Sequence, residues 1–278
     1  MEPKRPLKTN YHQEEVFPIS MDSSNKQMNE TSPFSSPTDD FSSVVEKPIN
    51  LNFHKKFGWF GINRIYSSNG YGEEYLLKRP FDIGLSFAGI LFSFPLWIII
   101  AIAIWSEDRG SPFYLSDRVG KNGKAFRYFK FRTMVPDSDK RFGPLQAKEN
   151  DPRITRVGKI LRITAMDELP QLLNIFKGDM SFVGPRPLMP AEIEVEQNAS
   201  GEAVSLEQVK GYVERHSIIP GLTGIAQIFA PRDLIRKHKF RYDLFYIKKQ
   251  SLMLDIKLVL LSFWITFRGK WESRNKKF

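Results

Sequence analysis

Two adjacent carboxylates, Asp167 and Glu168, are the residues of this sequence best suited to carry chemistry. An ionised carboxylate can act as a nucleophile or hold a divalent cation. Both residues stand before an apolar segment with helical spacing, and a helix N-terminus favours their ionised form. Further along the chain, Gly-Pro-Arg-Pro at residues 184–187 forms a stiff turn that carries the guanidinium of Arg186. A guanidinium fork is suited to bind phosphate, so the sequence combines an acidic pair with a phosphate-binding side chain.

A helix is expected to follow the carboxylates and hold them in place. Four apolar residues recur at the i, i+3, i+4, i+7 spacing of one buried helix face. They are Leu169, Leu172, Leu173 and Phe176. Pro170 fits only the opening turn of a helix, and Gly178 stands where a left-handed C-terminal cap belongs. The spacing therefore predicts a helix that begins near Asp167 and Glu168 and ends near Lys177.

The acidic pair also allows a purely structural interpretation. An Asp before a helix is usually its N-cap, and a neighbouring Glu usually faces water. For the pair taken alone this is the more common case, because functional carboxylates are the minority. The motifs that surround the pair, described below, favour a functional role.

The charge of the chain points to anionic partners. The formal net charge is +10; residues 1–50 carry five basic and eight acidic side chains, or −3, so the remaining residues carry +13. A basic body of this kind suits nucleic acid, an acidic membrane surface or phosphorylated substrates. The chain has no cysteine, which excludes disulfides and thiolate metal sites.

Composition divides the chain into three parts. Residues 1–75 begin with a stretch rich in Ser, Pro, Asn and Asp that has no apolar period, and we predict a disordered N-terminal extension there. Residues 76–107 are assigned to a membrane helix and residues 108–270 to the main domain. No uninterrupted apolar core follows Lys4 and Arg5, so the extension does not resemble a signal peptide.

The membrane helix is predicted from residues 83–106, which contain no charge. As a helix they would extend about 36 Å, enough to cross a bilayer core, and hydropathy alone favours an ordinary transmembrane anchor. Pro95 stands at the centre, where it kinks a helix, and the Ser93 hydroxyl can satisfy a freed carbonyl. Basic residues flank both ends and mark neither as the cytoplasmic one. A re-entrant helix that enters and leaves by one face satisfies both observations.

Further elements complete an α+β, mainly helical fold. Asn122-Gly123, flanked by aromatic residues, predicts a β-hairpin over residues 113–133. Residues 190–216 are charged and predict a helix and a loop. The glycines of residues 220–224 indicate a tight turn or close backbone approach to a ligand. Residues 251–267 predict a mostly apolar helix that is either an amphipathic interfacial helix or a buried core helix.

Several long motifs resemble the bacterial sugar transferase family. Its members are the monotopic polyprenyl-phosphate phosphoglycosyl transferases that initiate surface polysaccharide and glycoconjugate synthesis. The central match is Asp-Glu-Leu-Pro-Gln at residues 167–171, followed by Lys-Gly-Asp-Met-Ser at 177–181 and the Gly-Pro-Arg-Pro turn. Lys-Phe-Arg-Thr-Met at 130–134 is similar as well. The resemblance covers roughly residues 78–270. One departure is Phe94, since the family usually has Ser before the central Pro.

The resemblance implies a two-step reaction at the cytoplasmic face of the bacterial inner membrane, catalysed by the domain of residues 108–270. Asp167 would attack the sugar-bearing phosphate of a UDP-sugar, giving an aspartyl-phosphosugar and UMP. The phosphate of a polyprenyl (undecaprenyl) phosphate would then take over the sugar phosphate, while Glu168 would hold Mg²⁺. This transfer is the first step of exopolysaccharide, O-antigen, capsule or glycoprotein glycan assembly. It needs no nucleic acid, and it leaves the oligomeric state open, a homodimer included.

The same motifs predict the residues of the site. Those expected to bind substrate are Lys130, Arg132, Arg153, Arg162, Pro185, Arg186 and Pro187. Catalysis is assigned to Asp167 and Glu168, and the metal to Glu168. The break in the membrane helix is assigned to Ser93 and Pro95. The competing hypothesis is a non-catalytic membrane-peripheral scaffold or a nucleic-acid-binding protein, whose binding would weaken with salt and would not depend on Asp167.

Overall fold

A computed structural model describes residues 74–138, 151–190, 193–195, 203–230, 234 and 236–268. The helices are α1 Lys78–Asp108, α2 Arg156–Thr164, α3 Gln171–Lys177, α4 Tyr212–Arg215, α5 Ile225–Phe229, α6 Arg236–Lys249 and α7 Leu252–Phe267. The strands are β1 Phe113–Val119, β2 Ala125–Phe131, β3 Ser181–Val183, β4 Ile193–Val195, β5 Ala203–Ser205 and β6 Gly221–Thr223. The predicted disordered extension lies outside the described residues, except for its last two positions.

Helices dominate the described part of the chain, and its strands form three two-stranded sheets. β1 pairs antiparallel with β2 and β4 with β5, whereas β3 and β6 are parallel. The prediction of an α+β, mainly helical fold is therefore confirmed. The prediction for residues 190–216 is wrong in part, because β4 and β5 precede the short helix α4 there.

The predicted β-hairpin is confirmed as β1 and β2, whose pairing leaves residues 120–124 as the turn. Asn122 and Gly123 have φ angles of 54° and 76°. Asn and Gly tolerate this left-handed conformation better than other residues. The Asn122 N–H donates to the His216 carbonyl oxygen at 2.7 Å, which fixes the tip of the hairpin to the body.

Helix α1 has 31 residues with Pro95 inside it. Among the described residues it is the one helix long and apolar enough to cross a membrane. The Ser93 hydroxyl donates to the Gly89 carbonyl at 2.6 Å and accepts from the Trp97 ring N–H at 2.9 Å. Proline removes the N–H that would pair four residues back, with Leu91. Ser93 therefore does not satisfy the freed carbonyl in the way we predicted, and the re-entrant path stays a prediction.

Both ends of α1 are bound to the same body. At the N-terminal end, Lys78 and Asp255 of α7 form a buried ion pair of 2.7 Å. At the C-terminal end, the Glu107 carboxylate accepts the N–H groups of Arg156 and Val157, at 2.7 and 3.1 Å, in the first turn of α2. The ends of an ordinary transmembrane anchor lie on opposite sides of the bilayer. These contacts therefore favour a helix whose ends share one side.

The C-terminal helix α7 combines the two alternatives that its sequence left open. Its buried residues are Leu254, Asp255, Leu258, Val259, Leu261 and Ile265. Its large exposed residues are Met253, Leu260, Phe263, Trp264 and Phe267. Asp255 is tolerated in the core because Lys78 neutralises it and the hydroxyls of Tyr75 and Tyr246 each donate to it at 2.7 Å. One helix thus contributes to the core and also exposes large apolar side chains.

Large apolar side chains are exposed on α1 and α2 as well as on α7. Those of α1 include Phe87, Leu91, Phe92, Ile98, Ile99 and Ile102, and those of α2 are Ile160 and Ile163. Exposed apolar area of this extent marks contact with a membrane or a partner. The length and composition of α1 favour a membrane. We call these exposed residues of α1, α2 and α7 the apolar surface.

Cysteine labelling should place both ends of α1 on the same side of the membrane. Since the chain has no cysteine, Leu76→Cys before α1 and Ser111→Cys after it each introduce a single thiol at an exposed position. A membrane-impermeant maleimide should label both variants in the same preparation, either sealed cells or inside-out vesicles, because both ends contact one body. Lys124→Cys in the hairpin turn reports the side of the body. Labelling of the two ends in opposite preparations would contradict the shared side.

Candidate active site

Lys130 and Asp167 form an ion pair at the centre of the candidate site, in which Asp167 is buried and Lys130 partly buried. The Lys130 ammonium lies 2.6 Å from an Asp167 carboxylate oxygen, and Asp167 is only 3% exposed. Burial alone would lower the pKa of Lys130, but the Asp167 and Glu168 carboxylates together raise it above its ordinary value. The ammonium therefore stays charged and offers Asp167 an opposite charge at contact distance.

The hairpin and α3 together fix the position of Lys130. Strand residues alternate between two faces, so Lys130 shares a face of β2 with Tyr128. Asn174 on α3 is fully buried, and its amide oxygen accepts the Phe129 N–H at 3.0 Å. Its amide nitrogen donates to the Arg127 carbonyl at 2.7 Å. These two hydrogen bonds hold β2 against α3 just before Lys130.

A residue in the left-handed conformation leads the chain from α2 into the acidic pair. Ala165 has a φ of 53°, which is uncommon outside glycine, and the 3-10 turn Met166–Glu168 follows it. Pro170 is then the N-cap of α3, which begins at Gln171. The predicted helix start at the carboxylates is therefore wrong. They precede α3, and the contact that the structure gives Asp167 is the ion pair with Lys130.

Helix α3 ends at Lys177 as predicted, with Gly178 as a left-handed cap at a φ of 100°. Its buried face differs in part from the prediction, since Ile175 is fully buried whereas Phe176 is 42% exposed. The Phe176 ring lies 6.3 Å from that of Phe87 on α1, measured between centroids. Because α3 packs against α1, the exposed Phe176 ring lies next to the apolar surface.

Glu168 pairs with Arg186, whose guanidinium nitrogen lies 3.7 Å from the carboxylate. Burial raises the pKa of Glu168, against the lowering effect of the Arg186 and Lys130 charges, and the negative charge of Asp167 raises it further. Burial and the charge of Glu168 also raise the pKa of Tyr128 to about 12. The Glu168 carboxyl therefore holds its proton to a higher pH than a free glutamate.

The Gly-Pro-Arg-Pro turn is held by close contact with residues 220–224. The Pro185 carbonyl accepts the Gly221 N–H at 2.9 Å, next to the parallel strands β3 and β6. A β-carbon at Gly221 would lie 2.0 Å from the Gly184 nitrogen, and one at Gly224 would lie 2.4 Å from the Gly184 oxygen. The absence of a side chain at Gly221 and Gly224 therefore allows two backbone segments to lie in close contact. The sequence alone could not distinguish this role from a tight turn or a contact with a ligand.

Arg132, which we predicted to bind substrate, contacts residues at the C-terminal end of α1 and just beyond it. Its guanidinium forms a bidentate pair with Asp108 at 2.5 and 2.6 Å and donates to the Ser111 carbonyl at 2.5 Å. Arg132 is 8% exposed. These contacts give it a structural role between α1 and β2, and its binding of substrate stays a prediction.

Two further predicted arginines also have protein contacts. Arg153 pairs with Asp151 at 2.7 Å, and the Arg162 guanidinium donates to the Thr133 hydroxyl at 2.9 Å. Of the predicted set, two ion pairs and the adjacency of Asp167 and Glu168 bring four residues together. They are Lys130, Asp167, Glu168 and Arg186. Pro185 and Pro187 flank the last of these and are both buried.

Tyr128 and Arg118 adjoin these four residues but are absent from the predicted set. The Arg118 guanidinium lies 5.2 Å from the centre of the Tyr128 ring. The pKa of the Tyr128 hydroxyl is affected by the charges of four residues, which are Glu168, Arg186, Lys130 and Arg118. Tyr128 thus lies among the charged groups of the site. The signal that could have identified it is strand alternation, since it stands two residues before Lys130 on the same strand face.

The acidic pair fits a magnesium ion that binds together with a phosphorylated ligand. The described residues contain no group of three or more His, Cys, Asp or Glu side chains that could enclose a metal. Magnesium usually keeps several waters and is held by one or two carboxylates and by substrate phosphates. Asp167 and Glu168 supply such carboxylates, next to cations that suit the phosphates.

Comparison with known proteins gives consistent matches. Residues 73–269 match the model of a family described as bacterial sugar transferase. Over 228 residues the chain is 37% identical to an undecaprenyl-phosphate glucose phosphotransferase of Komagataeibacter xylinus, covering 80% of this chain and 41% of the relative. Over 212 residues it is 38% identical to a UDP-glucose:undecaprenyl-phosphate glucose-1-phosphate transferase of Escherichia coli K12, covering 74% and 43%.

A shorter relative matches over most of its length. The exopolysaccharide production protein PSS of Rhizobium leguminosarum bv. phaseoli is 38% identical over 191 residues, which cover 67% of this chain and 92% of the relative. The chain therefore spans about two fifths of the length of the two longer relatives and almost all of this one.

Replacing Glu168 by Gln should stabilise the protein at neutral pH. Because burial raises the pKa of Glu168, the folded protein binds more protons than the unfolded chain over the pH range between the ordinary pKa of 4.5 and the raised folded value. The free energy of unfolding therefore falls as the pH rises from the unfolded value through the raised folded value. Glutamine does not titrate, so the advantage of Glu168→Gln should grow with pH over this range, by about 1.4 kcal/mol for each unit by which the folded pKa exceeds the unfolded pKa.

Denaturant unfolding in detergent at about pH 5 and about pH 8 measures this difference. Glu207→Gln, at an exposed position, controls for the loss of one negative charge. A Glu168→Gln protein that is less stable than the wild type at the higher pH would contradict the assigned burial effect.

Proposed function

Because the chain belongs to the bacterial sugar transferase family, we propose that it transfers a sugar 1-phosphate from a UDP-sugar to a polyprenyl phosphate in a membrane. Two relatives are named for transfer to undecaprenyl phosphate and a third for exopolysaccharide production. The reaction suits the first step of exopolysaccharide, O-antigen, capsule or glycoprotein glycan assembly. Family membership does not favour a non-catalytic scaffold or a nucleic-acid-binding protein.

The observation that carries the proposal is a pair of adjoining ion pairs. Asp167 contacts Lys130 at 2.6 Å, and the next residue, Glu168, lies 3.7 Å from Arg186. Phosphoryl transfer depends chiefly on positioning and on stabilising charge at the phosphate oxygens. Lys130 and Arg186 can bind those oxygens, while the buried Asp167 carboxylate is held in a fixed position for attack.

In the first half-reaction, an Asp167 carboxylate oxygen attacks the sugar-bearing phosphorus of the UDP-sugar. The bond from that phosphorus to the bridging oxygen breaks, and the electron pair leaves on UMP. The Lys130 ammonium is a compact charge on a flexible stem, so it can move from Asp167 to the phosphate oxygens as the new bond forms. Arg186 binds the nucleotide side of the diphosphate with its planar fork.

In the second half-reaction, an oxygen of the polyprenyl phosphate attacks the phosphorus of the aspartyl-phosphosugar. The bond to Asp167 breaks, which regenerates the carboxylate and releases a polyprenyl diphosphosugar. The covalent intermediate divides one difficult displacement into two. Asp167 is 3% exposed, and this burial limits hydrolysis of the intermediate by water.

Glu168 is the main residue that would hold Mg²⁺, with Asp167 beside it. When bound, the ion neutralises the diphosphate oxygens and orients them. Glu168 must lose its proton to act as a ligand, and burial raises its pKa. Magnesium affinity should therefore weaken as the pH falls.

The lipid substrate requires a site at a membrane surface, and the apolar surface supports such a position. The location that we propose is the cytoplasmic face of the bacterial inner membrane. There α1 would enter and leave by the same face. Ile160 and Ile163 of this surface belong to α2, the helix that directly precedes the turn of Asp167. Contact of α2 with lipid would bring Asp167 close to the phosphate of an embedded polyprenol.

UMP release tests the proposal. Purified protein in detergent with Mg²⁺, polyprenyl phosphate and a panel of UDP-sugars, UDP-glucose among them, should release UMP and form a lipid diphosphosugar with at least one donor. Asp167→Asn keeps the shape of the side chain but removes the anion, so turnover should fall by about 10³-fold or more. A coupled UMP assay and mass spectrometry of the lipid product measure the two outcomes.

Asp117→Asn removes an exposed carboxylate of the hairpin and should leave turnover unchanged. A chelator should stop UMP release, and Glu168→Gln should require about 10- to 100-fold more Mg²⁺. Activity that persists in the chelator would remove Mg²⁺ from the proposal. Failure of every UDP-sugar to yield UMP would overturn the proposed function itself.

A further inference from the structure

Arg215, the last residue of α4, is a buried arginine outside the group described above. It is 2% exposed, and its Nε lies 2.8 Å from an Asp243 carboxylate oxygen of α6. Its guanidinium also lies 5.0 Å from the centre of the Phe240 ring. A buried charge is costly unless it is paired and hydrogen-bonded, so the contacts of Arg215 must be made in full.

The guanidinium of Arg215 reaches the Gly-Pro-Arg-Pro turn. Its Nη2 donates to the carbonyl oxygen of Arg186. Pro185 and Pro187 stand on either side, and proline both fixes its own φ and restricts the residue before it to extended conformations. The backbone of Arg186 is thus constrained by its neighbours in the chain and, through its carbonyl, by Arg215.

His216 completes the set of partners around Arg215. Burial and the charge of Arg215 lower the pKa of His216 to about 3, so the ring is neutral. Its Nδ1 lies 2.7 Å from the Tyr212 carbonyl and therefore carries the proton, which leaves Nε2 as an acceptor for the Arg215 Nη1 at 3.1 Å. Each nitrogen of the guanidinium thus has a defined partner, and the direction of Nη2 towards Arg186 is fixed.

We propose that Arg215 is a positioning residue for Arg186, holding the backbone of the turn so that the Arg186 side chain presents its fork to the nucleotide diphosphate. This inference rests on the proposed function. The Arg186 side chain is 52% exposed, so the turn, and not packing around the side chain, must set its direction. Arg215 acts through the carbonyl at the base of that side chain, whereas Glu168 contacts its tip.

A double variant, Arg215→Met with Asp243→Leu, tests the role without leaving a buried charge unpaired. Replacement of a buried ion pair by apolar residues of similar size is often neutral for stability. We expect the KM for the UDP-sugar to rise about tenfold, the KM for polyprenyl phosphate to stay unchanged, and kcat to change less than the first KM. In an Arg186→Ala background the same double replacement should have no further effect, because Arg215 acts only through Arg186.

Removal of an exposed ion pair is the matched control. Arg127→Met with Asp117→Leu deletes the same two charges from a hairpin pair whose side chains are 59% and 60% exposed, and it should leave both KM values unchanged. An unchanged KM for the UDP-sugar in the Arg215 variant would overturn the inference. So would an effect that adds in full to that of Arg186→Ala.

Hydrogen exchange separates this inference from the proposed function, because it needs no substrate. The Gly184 N–H donates to the Thr223 carbonyl at 2.9 Å, and Pro185 and Pro187 have no N–H, so exchange in the short peptide around them reports the opening of the turn through this protected amide. The double variant should exchange there at least about tenfold faster than the wild type, and the Arg127 control should not. Equal exchange would overturn the hold of Arg215 on the turn even if UMP is released. A wild type that releases no UMP with any donor would instead overturn the proposed function.

Discussion

The ion pair between Lys130 and Asp167 is the contact on which the candidate site depends. A charge buried to this degree is tolerated only with a partner, so the hairpin that carries Lys130 and the turn that carries Asp167 must stay together. The supporting contacts serve this requirement. Asn174 holds β2 against α3, and the left-handed Ala165 turns the chain from α2 towards the hairpin. The carboxylate is therefore fixed in advance of any substrate, which is the condition for efficient attack.

A second buried cluster connects helix α1 with the turn of Arg186. The Lys78 ammonium, at the first position of α1, pairs with Asp255 and donates to the Val183 carbonyl at 2.9 Å and to the Tyr246 hydroxyl at 3.0 Å. Val183 ends β3 directly before the Gly-Pro-Arg-Pro turn. The start of α1, the C-terminal helix α7 and the turn thus share one set of polar contacts. These shared contacts hold the charged candidate site next to the apolar surface.

Local signals in the sequence predicted the elements that depend on local physics, and the Gly178 cap is an example. The 3-10 turn before α3 was not predictable, because an alanine such as Ala165 gives no sign in the sequence that it adopts a left-handed conformation. Partners far apart in sequence were equally hidden. The guanidinium of Arg132 is suited to bind phosphate, yet in the structure it donates hydrogen bonds to Asp108, which stands 24 residues earlier in the chain. Asp255 carried a usable signal, since a charge within an apolar helix requires a buried partner, but its identity depends on the tertiary fold.

The covalent role of Asp167 is the central claim, and mass spectrometry of the protein incubated with a UDP-sugar and Mg²⁺, without lipid, tests it most directly. The peptide containing Asp167 should gain one sugar phosphate, UMP should appear in equal amount, and added polyprenyl phosphate should remove the adduct. Asp167→Asn should form no adduct. Release of UMP only when both substrates are present, together with near-normal turnover by Asp167→Asn, would contradict the account.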